Sequence, residues 1–262
     1  MNNNFLADIV QTKKERVEAK KKQLPLEKIL EYLPLLEPPR NFKEAIRKKE
    51  KINLIAEIKK ASPSQGSIVE HFSVEEIARE YTRSGAKALS VLTEEKYFQG
   101  DLFHLLEAHR ISPLPLLRKD FIVDEYQLYE ARYFISDAVL LIAEVVPLEQ
   151  LPRFLEIVKE LKMSALVEAH TEENLEKVLT IPGVEIIGVN NRDLQTFKVD
   201  FQTSLRLKKK IPLNKITVAE SGVSSRKNIA QLEAAGFDAV LIGQSLLESR
   251  NISEKVKELF GK

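Results

Sequence analysis

The sequence predicts an α/β fold, a (β/α)8 TIM barrel that follows an N-terminal helical extension. From residue 53 onward, short apolar runs alternate with amphipathic stretches of helical period, which is the pattern of repeated βα units. There are about eight such runs, the number of parallel strands that closes into a barrel. The length of 262 residues also suits one such barrel, which typically has about 250 residues. We therefore expect one domain over 1–262, with the extension at 1–47 and the barrel at 48–262.

The apolar runs are rich in Val, Ile and Leu and are almost continuous, as expected for strands covered on both faces of a parallel sheet. The predicted strands are 53–58, 87–92, 114–118, 138–143, 164–169, 185–190, 215–220 and 238–243. An open doubly wound sheet usually has fewer strands and a Gly-x-Gly-x-x-Gly fingerprint, which this chain does not contain. The closed barrel is therefore favoured.

Local signals mark where several helices begin and end. Ser73 and Glu76 form a Ser-x-x-Glu capping box that begins a helix, and Gly85 ends it. Gly183 and Gly236 end two later helices in the same way. Helices in these places supply the connections that parallel strands need.

The segment before the first strand is rich in Lys and Glu and predicts a helix over about 5–22, followed by a stretch interrupted by prolines. A lysine run can favour contact with nucleic acid. Because Glu15, Glu18 and Glu27 are interspersed, we interpret this run as a solvated helix face. A helix lying across the mouth or the bottom of the barrel is the other interpretation.

Composition excludes several classes of partner. The 40 Lys and Arg residues nearly balance the 39 Asp and Glu residues, so no net field attracts nucleic acid or an anionic membrane. The absence of cysteine excludes disulfides, thiolate nucleophiles and Cys-ligated metal sites. The N-terminus lacks the order of a signal peptide, and no apolar run has membrane-spanning length. We expect a cytoplasmic protein, a monomer or a weak homodimer, that binds a small phosphorylated molecule.

Polar residues stand at the carboxyl ends of the apolar strands, where barrels of this kind carry their catalytic groups. They are Glu57 and Lys59 at the end of the first strand, Lys119 after the third, Glu168 in the fifth, and Asn190 and Arg192 at the sixth. Glu57 and Lys59 face the same way, because side chains of a strand alternate with a period of two. Acids and amines in one enclosed mouth shift each other's pKa, as acid–base catalysis requires. A structural ion-pair network would do the same, so both interpretations remain open.

The last two strands end in Glu220-Ser221-Gly222 and in Gly243-Gln244, and loops at these two places form the recurrent phosphate site of such barrels. Gly222 and Gly243 would let backbone N–H groups approach an anion closely. Either glycine alone could be a turn former; two such loops at adjoining strands favour phosphate binding. The four histidines show no metal-binding spacing and are interpreted as surface or packing residues, so we expect no metal and no cofactor.

Four ordered motifs carry a resemblance to a known family: Ile-Ala-Glu57-Ile-Lys59-Lys-Ala-Ser62-Pro-Ser, Leu-Arg-Lys119-Asp-Phe121, Asn190-Asn-Arg192-Asp-Leu194 and Glu220-Ser-Gly. Together with the extension, they resemble the indole-3-glycerol-phosphate synthases of tryptophan biosynthesis over the whole barrel. The resemblance implies ring closure of 1-(2-carboxyphenylamino)-1-deoxyribulose 5-phosphate, with loss of carbon dioxide and water and without a cofactor.

The resemblance also implies roles for individual residues. The implied catalytic set is Glu57, Lys59, Lys119, Glu168, Asn190 and Ser221. The implied substrate-binding set is Ser62, Phe121, Leu140, Arg192, Leu194, Glu220, Gly222, Gly243 and Gln244. Within these sets, Lys119 is the general acid for closure, Glu57 and Glu168 transfer protons, and Lys59 contacts substrate anions and can also act as an acid. The resemblance leaves the division of labour between the two lysines open.

Three positions depart from the family pattern: Asp101 stands where Ser is expected, Ile135-Ser136 where Gly-Ala is usual, and Gln244 at a variable position of the phosphate loop. None of them removes a catalytic side chain. Asp101 can still cap a helix, and Ile135 precedes a strand at the bottom of the barrel, where changes affect stability more than chemistry.

The sequence leaves two alternative functions. Phosphoribosylanthranilate isomerase has similar phosphate loops, but its family uses a catalytic cysteine and this chain has none. A barrel that binds a phosphorylated ligand without turning it over is the other alternative. Uniform binding of an anion has no use for two convergent carboxylates, and Glu57 and Glu168 therefore argue against it.

Overall fold

The structure is a computed structural model, which describes residues 5–63, 66–67 and 72–261. Three helices and a short 3-10 turn precede the first strand. They are α1 (Phe5–Gln23), α2 (Leu26–Tyr32), the 3-10 turn Leu33–Leu35, and α3 (Phe42–Ile46). The helix predicted over about 5–22 is thus confirmed as α1. Ser64, the last residue of the first motif, lies outside the described residues.

Eight parallel strands close into a barrel. They are β1 (Asn53–Ile58), β4 (Ala88–Leu92), β5 (Leu116–Lys119), β6 (Ala138–Ile142), β7 (Ser164–Ala169), β8 (Ile186–Asn190), β9 (Ile216–Glu220) and β10 (Ala239–Ile242). Their order around the barrel is β1-β10-β9-β8-β7-β6-β5-β4 and back to β1. Between β1 and β4, the strands β2 (Ala61–Ser62) and β3 (Gly66–Ser67) form a small antiparallel pair. The predicted barrel is confirmed, and each predicted strand overlaps an observed one.

Helices connect the strands around the outside of the barrel. They are α4 (Val74–Arg83), α5 (Phe103–Ile111), α6 (Tyr126–Tyr133), α7 (Leu151–Glu160), α8 (Glu172–Thr180), α9 (Gln202–Lys208), α10 (Arg226–Ala235), α11 (Gln244–Leu247) and α12 (Ile252–Phe260). Two predicted caps are confirmed: the Ser73 hydroxyl accepts a hydrogen bond from the Glu76 amide, and Gly236 ends α10 in the left-handed conformation. The prediction for Gly183 is wrong, because α8 already ends at Thr180 and its C-cap is Ile181. The Asp101 carboxylate accepts from the Phe103 amide at 2.9 Å, although Asp101 stands one residue before Leu102, the N-cap of α5. In the described part of the chain, no helix is long and apolar enough to cross a membrane.

Two apolar layers hold the barrel together, and the alternation of strand side chains assigns residues to them. Along β6, Leu140 belongs to the cluster inside the barrel, whereas Val139 and Leu141 belong to the cluster between the strands and the helices. The inner cluster also contains Ile55 of β1. Because Glu57 stands two residues after Ile55, its side chain continues the inward face toward the mouth.

The extension covers both ends of the barrel. At the bottom, Phe42 and Ile46 of α3 are completely buried in the inner cluster. At the mouth, Ile9 of α1 is buried, and Lys13 forms ion pairs with Asp120 at 2.8 Å and Glu95 at 3.0 Å.

The interpretation of the lysine run as a solvated face is therefore wrong at Lys13, whose side chain is 4% exposed. Two carboxylates compensate the burial of its charge. Lys14, the next residue of the run, is exposed as expected.

Candidate active site

A cavity opens among the carboxyl ends of the strands and brings almost all the predicted site residues together. It is lined by Glu57, Lys59, Lys119, Phe121, Leu140, Glu168, Asn190, Arg192, Leu194, Glu220, Ser221, Gly222, Gly243 and Gln244. Ser62 lines an adjoining cavity beneath α1, which shares Lys59, Phe121 and Arg192 with the first. The expectation that strand-end residues from distant parts of the chain meet at one mouth is confirmed.

The centre of the cavity is an ammonium group between two carboxylates. Lys119 Nζ lies 3.0 Å from Glu168 Oε2 and 3.0 Å from Glu220 Oε2. Asn190 Nδ2 donates to the other oxygen of Glu168 at 2.9 Å. Burial by itself would lower the pKa of Lys119, but the neighbouring carboxylates outweigh it and raise the pKa above its usual range. Lys119 is therefore a cation at neutral pH.

The two carboxylates around Lys119 differ in protonation. Burial opposes the charge of Glu168, but Lys119 and the hydrogen bond from Asn190 outweigh it and lower its pKa. Burial and the neighbouring charge of Glu168 outweigh Lys119 at Glu220 and raise its pKa to about 8. One ammonium group cannot fully compensate two buried carboxylates, so one of them keeps a proton. Glu168 is thus a potential base and Glu220 a potential acid, an arrangement that suits proton transfer.

A second acid–amine pair lies on β1. Lys59 Nζ is 2.6 Å from Glu57 Oε1, and the two side chains are mostly buried. This contact confirms that Glu57 and Lys59 face the same cavity, as the two-residue period of the strand predicts. The Tyr81 hydroxyl donates to the backbone oxygen of Glu57 at 3.0 Å and ties the strand to α4.

Two hydrogen bonds organise the turn after β8. Asn190 Oδ1 accepts from the Arg192 amide at 2.9 Å, and the Arg192 guanidinium donates to the Phe197 carbonyl at 3.1 Å. A ring nitrogen of His170 lies 2.8 Å from the Asn190 carbonyl oxygen, so this histidine supports the turn from β7. Sequence reasoning treated His170 only as a surface or packing residue. Nothing in the local sequence indicated its contact with the next strand.

One side of the cavity is apolar. Phe121, Leu140 and Leu194 line it as predicted, and Phe98 joins them with its ring centre 6.3 Å from that of Phe121. Phe98 was not predicted. The buried Glu94 fixes its loop by accepting hydrogen bonds from the amides of Tyr97 and Phe98 at 2.7 and 3.0 Å.

The opposite side is formed by the turns after β9 and β10. Ser221 and Gly222 both have left-handed backbones, with φ of +66° and +72°, and Gly243 immediately precedes α11. The φ of Gly243 is −125°, so its backbone conformation does not require glycine. A Cβ atom at this position would lie 2.4 Å from Glu57 Oε1. Gly243 therefore makes room for the Glu57 carboxylate, a role that the sequence did not indicate.

Asp120, between two site residues, connects the mouth to α1. Its carboxylate binds Lys13 at 2.8 Å, Arg118 at 3.0 Å and the Thr93 hydroxyl at 2.7 Å. Burial opposes its charge, but Lys13 and Arg118 hold its pKa well below the usual range. This network fixes the end of β5, where Lys119 and Phe121 begin to face the cavity. Among the described residues, no cluster of three or more His, Cys, Asp or Glu side chains is arranged to hold a metal ion.

Comparisons with known proteins agree with this geometry. The family described as Indole-3-glycerol phosphate synthase matches residues 6–259. A protein of that name from Endomicrobium trichonymphae is 48% identical over 258 residues, covering 97% of this chain and 99% of its own. Its namesake from Chloroherpeton thalassium is 45% identical over 252 residues, covering 95% of this chain and 96% of its own.

Among solved structures, 3-hexulose-6-phosphate synthase from Salmonella typhimurium is similar with a TM-score of 0.64, covering 80% of this chain and 97% of its own. Its sequence identity is 11%, so this likeness shows the fold alone. The family match extends over nearly the whole length and includes every strand that supplies the cavity. The chain therefore belongs to the indole-3-glycerol phosphate synthase family.

Proposed function

We propose that this cavity closes the indole ring of 1-(2-carboxyphenylamino)-1-deoxyribulose 5-phosphate as a carboxy-lyase, releasing carbon dioxide and water without a cofactor. The observation that carries the proposal is the buried Lys119 ammonium between Glu168 and Glu220, at the centre of a cavity with one apolar side. A proton donor in such a place can act on a ketone whose aromatic substituent lies against the apolar side.

Lys119 is the acid in the first step. As the ring carbon that bears the carboxylate attacks the ketone carbon, the ketone oxygen takes the proton of Lys119 and becomes a hydroxyl. The ring nitrogen carries the resulting positive charge as an iminium, which accepts the electron pair when the carbon–carboxylate bond breaks. Because the neighbouring carboxylates raise its pKa, Lys119 carries its proton at neutral pH and presents a positive charge to the oxygen that becomes negative in this step.

Proton transfers in the remaining steps fall to the carboxylates. Loss of water needs a proton on the departing hydroxyl and a base for the proton removed from the neighbouring carbon. Glu168 and Glu57 are the candidate bases, and Lys59, at 2.6 Å from Glu57, is a second candidate acid. Glu220 keeps a proton below about pH 8 and lies at hydrogen-bond distance from Lys119, so it can return a proton to the amine.

The anionic groups of the substrate are assigned to the polar margin of the site. The turns at Ser221-Gly222 and at Gly243 are proposed to bind the phosphate through backbone N–H groups, together with Ser62 and Gln244. Arg192 and Asn190 are proposed to hold the substrate carboxylate and hydroxyls, with Lys59 contacting anions in the ground state. Phe121, Leu140 and Leu194 pack against the aromatic ring.

Turnover by the purified chain tests the proposal. Indole fluorescence should appear when this substrate is added, and the rate should be unchanged after exhaustive treatment with a chelator. Lost activity that a divalent ion restores would overturn the cofactor-free mechanism. No turnover of this substrate would overturn the proposed function itself.

Kinetics of two variants separate the lysines. Lys119→Ala should lower kcat by about 10²–10⁴ with a modest change in KM, because its proton is needed in the transition state. Lys59→Ala should lower kcat/KM comparably and raise KM more. Lys60→Ala is the matched control, since Lys60 follows Lys59 but lines neither cavity, and its constants should stay near those of the wild type. If Lys119→Ala still closes the ring and Lys59→Ala does not, Lys59 is the acid for ring closure and Lys119 contacts the substrate anions.

Three further assignments are proposals that rest on the sequence: one folding domain over 1–262, a cytoplasmic location, and a monomer or weak homodimer. If α1 and the barrel unfold in one cooperative transition with coincident midpoints, the chain is one domain. Cell fractionation tests the location. Light scattering measures the mass in solution and thus the oligomeric state.

A further inference from the structure

Gly188 stands in the middle of β8, between Glu168 on β7 and Val218 on β9. Glycine in a strand interior weakens the strand, because it has no side chain to pack and loses more conformational freedom on folding. The φ of Gly188 lies outside the left-handed region, so any residue could adopt this backbone. Conformation therefore does not explain the glycine.

Space does explain it. A Cβ atom at position 188 would lie 2.3 Å from Glu220 Oε1 and 3.4 Å from Glu220 Cδ. Nearby, Leu166 Cδ1 would be 3.3 Å away, which is close but not a collision. The other oxygen of Glu220 is held at 3.0 Å from Lys119 Nζ, and Glu220 is almost completely buried. The carboxylate of Glu220 thus occupies the volume that a side chain at 188 would fill.

We propose that Gly188 is a positioning residue, whose missing side chain leaves the space in which Glu220 contacts Lys119. It touches no reacting atom and acts only through Glu220. The proposal rests on the proposed function, in which Lys119 is the acid and Glu220 its hydrogen-bonded neighbour.

A methyl group at position 188 has a definite effect. The colliding atom is the end of a side chain, so Gly188→Ala can relieve the contact by rotating Glu220 away from Lys119. A hydrogen bond to a charged group is then lost, and kcat should fall about ten- to hundredfold. KM should change little, since the substrate-binding margin of the cavity is untouched. The alkaline limb of the pH–rate profile should also shift, because Glu220 leaves the neighbourhood of Lys119 and Glu168.

A double-mutant cycle with Glu220→Ala tests the proposal. In the Glu220→Ala background the collision is gone, so Gly188→Ala should cause no further loss of kcat. Ile187→Val is the control for damage to β8, because Ile187 is the adjacent buried residue and belongs to the outer cluster. Its kcat and pH profile should match those of the wild type.

The inference would be overturned if Gly188→Ala had the kcat and the pH profile of the wild type. It would also be overturned if Gly188→Ala lowered kcat equally in the wild-type and the Glu220→Ala backgrounds. If Gly188→Ala does not fold, restored folding in the Glu220→Ala background supports the shared space, and continued unfolding overturns it. If the wild-type protein does not turn over the substrate, the proposed function is overturned. If the wild type is active but Gly188→Ala and Glu220→Ala lower kcat additively, only the role of Gly188 is overturned.

Discussion

The burial of Lys13 leads to a quantitative prediction about the extension. Its ammonium lies 2.8 Å from Asp120 and 3.0 Å from Glu95, and the side chains of Lys13 and Asp120 are 4% and 1% exposed. Removing one partner of a buried ion pair typically costs about 3–5 kcal/mol, because the other charge stays buried without compensation. Asp120 keeps Arg118 at 3.0 Å and Thr93 at 2.7 Å. We therefore expect Lys13→Ala to lower the free energy of unfolding by about 2–3 kcal/mol, at or just below the lower end of that range.

Urea unfolding followed by circular dichroism measures this change. For a chain of this size, each kcal/mol shifts the thermal midpoint by about 2–4 °C. Lys13→Met keeps the aliphatic stem and separates the loss of charge from the loss of packing. Since the pKa of Asp120 is held below its usual 3.8, its contribution to stability is present at neutral pH and is lost as the pH falls through the folded value.

Lys14→Ala is the matched control, because Lys14 is the exposed neighbour on α1. Its effect should stay within about 0.5 kcal/mol. A Lys13→Ala variant that is no less stable than Lys14→Ala would refute the role of the ion pair. A Lys13→Met variant as stable as the wild type would also refute it, because the lost packing of the aliphatic stem would then account for the whole effect of Lys13→Ala.

Two further predictions concern stability. Lys162 and Ile135 follow helices α7 and α6 with left-handed φ of +57° and +64°, which costs an L-residue about 1–2 kcal/mol. Lys162→Gly should therefore raise the thermal midpoint by about 2–4 °C. Ile135→Gly should raise it less, because the Ile135 side chain is half-buried. A lower midpoint for Lys162→Gly would show that its left-handed backbone does not strain the fold. The pKa of Glu220 is raised from 4.5 to about 8, so the folded chain binds an extra proton between these values and loses stability as the pH rises through them. The side chain of Glu220→Gln cannot ionise. In urea unfolding, the free energy of unfolding of this variant relative to the wild type should therefore increase from about pH 5 to about pH 8. If the difference between the two proteins stays constant, Glu220 does not titrate in this window.

Local patterns in the sequence predicted the elements of the barrel and most of the residues that line the cavity. Strand and helix periods are local, so eight apolar runs and the caps at Ser73 and Gly236 were enough to predict the fold. The two-residue period also put Glu57 and Lys59 on one face of β1. Because parallel strands end at the same edge, the polar strand ends predicted a shared mouth.

Which of these groups touch depends on the closed barrel and cannot be derived from local patterns. Lys119 and Glu220 are 101 residues apart, and their contact depends on barrel closure and on the register between strands, which no local pattern encodes. The lysine run showed where charges lie along α1 but not which one would be buried against Asp120. In the sequence, Gly243 was interpreted as a turn former or an anion contact, and Gly188 carried no prediction. Their function as space for Glu220 and Glu57 depends on side chains that arrive from neighbouring strands, and that space exists only once the barrel has closed.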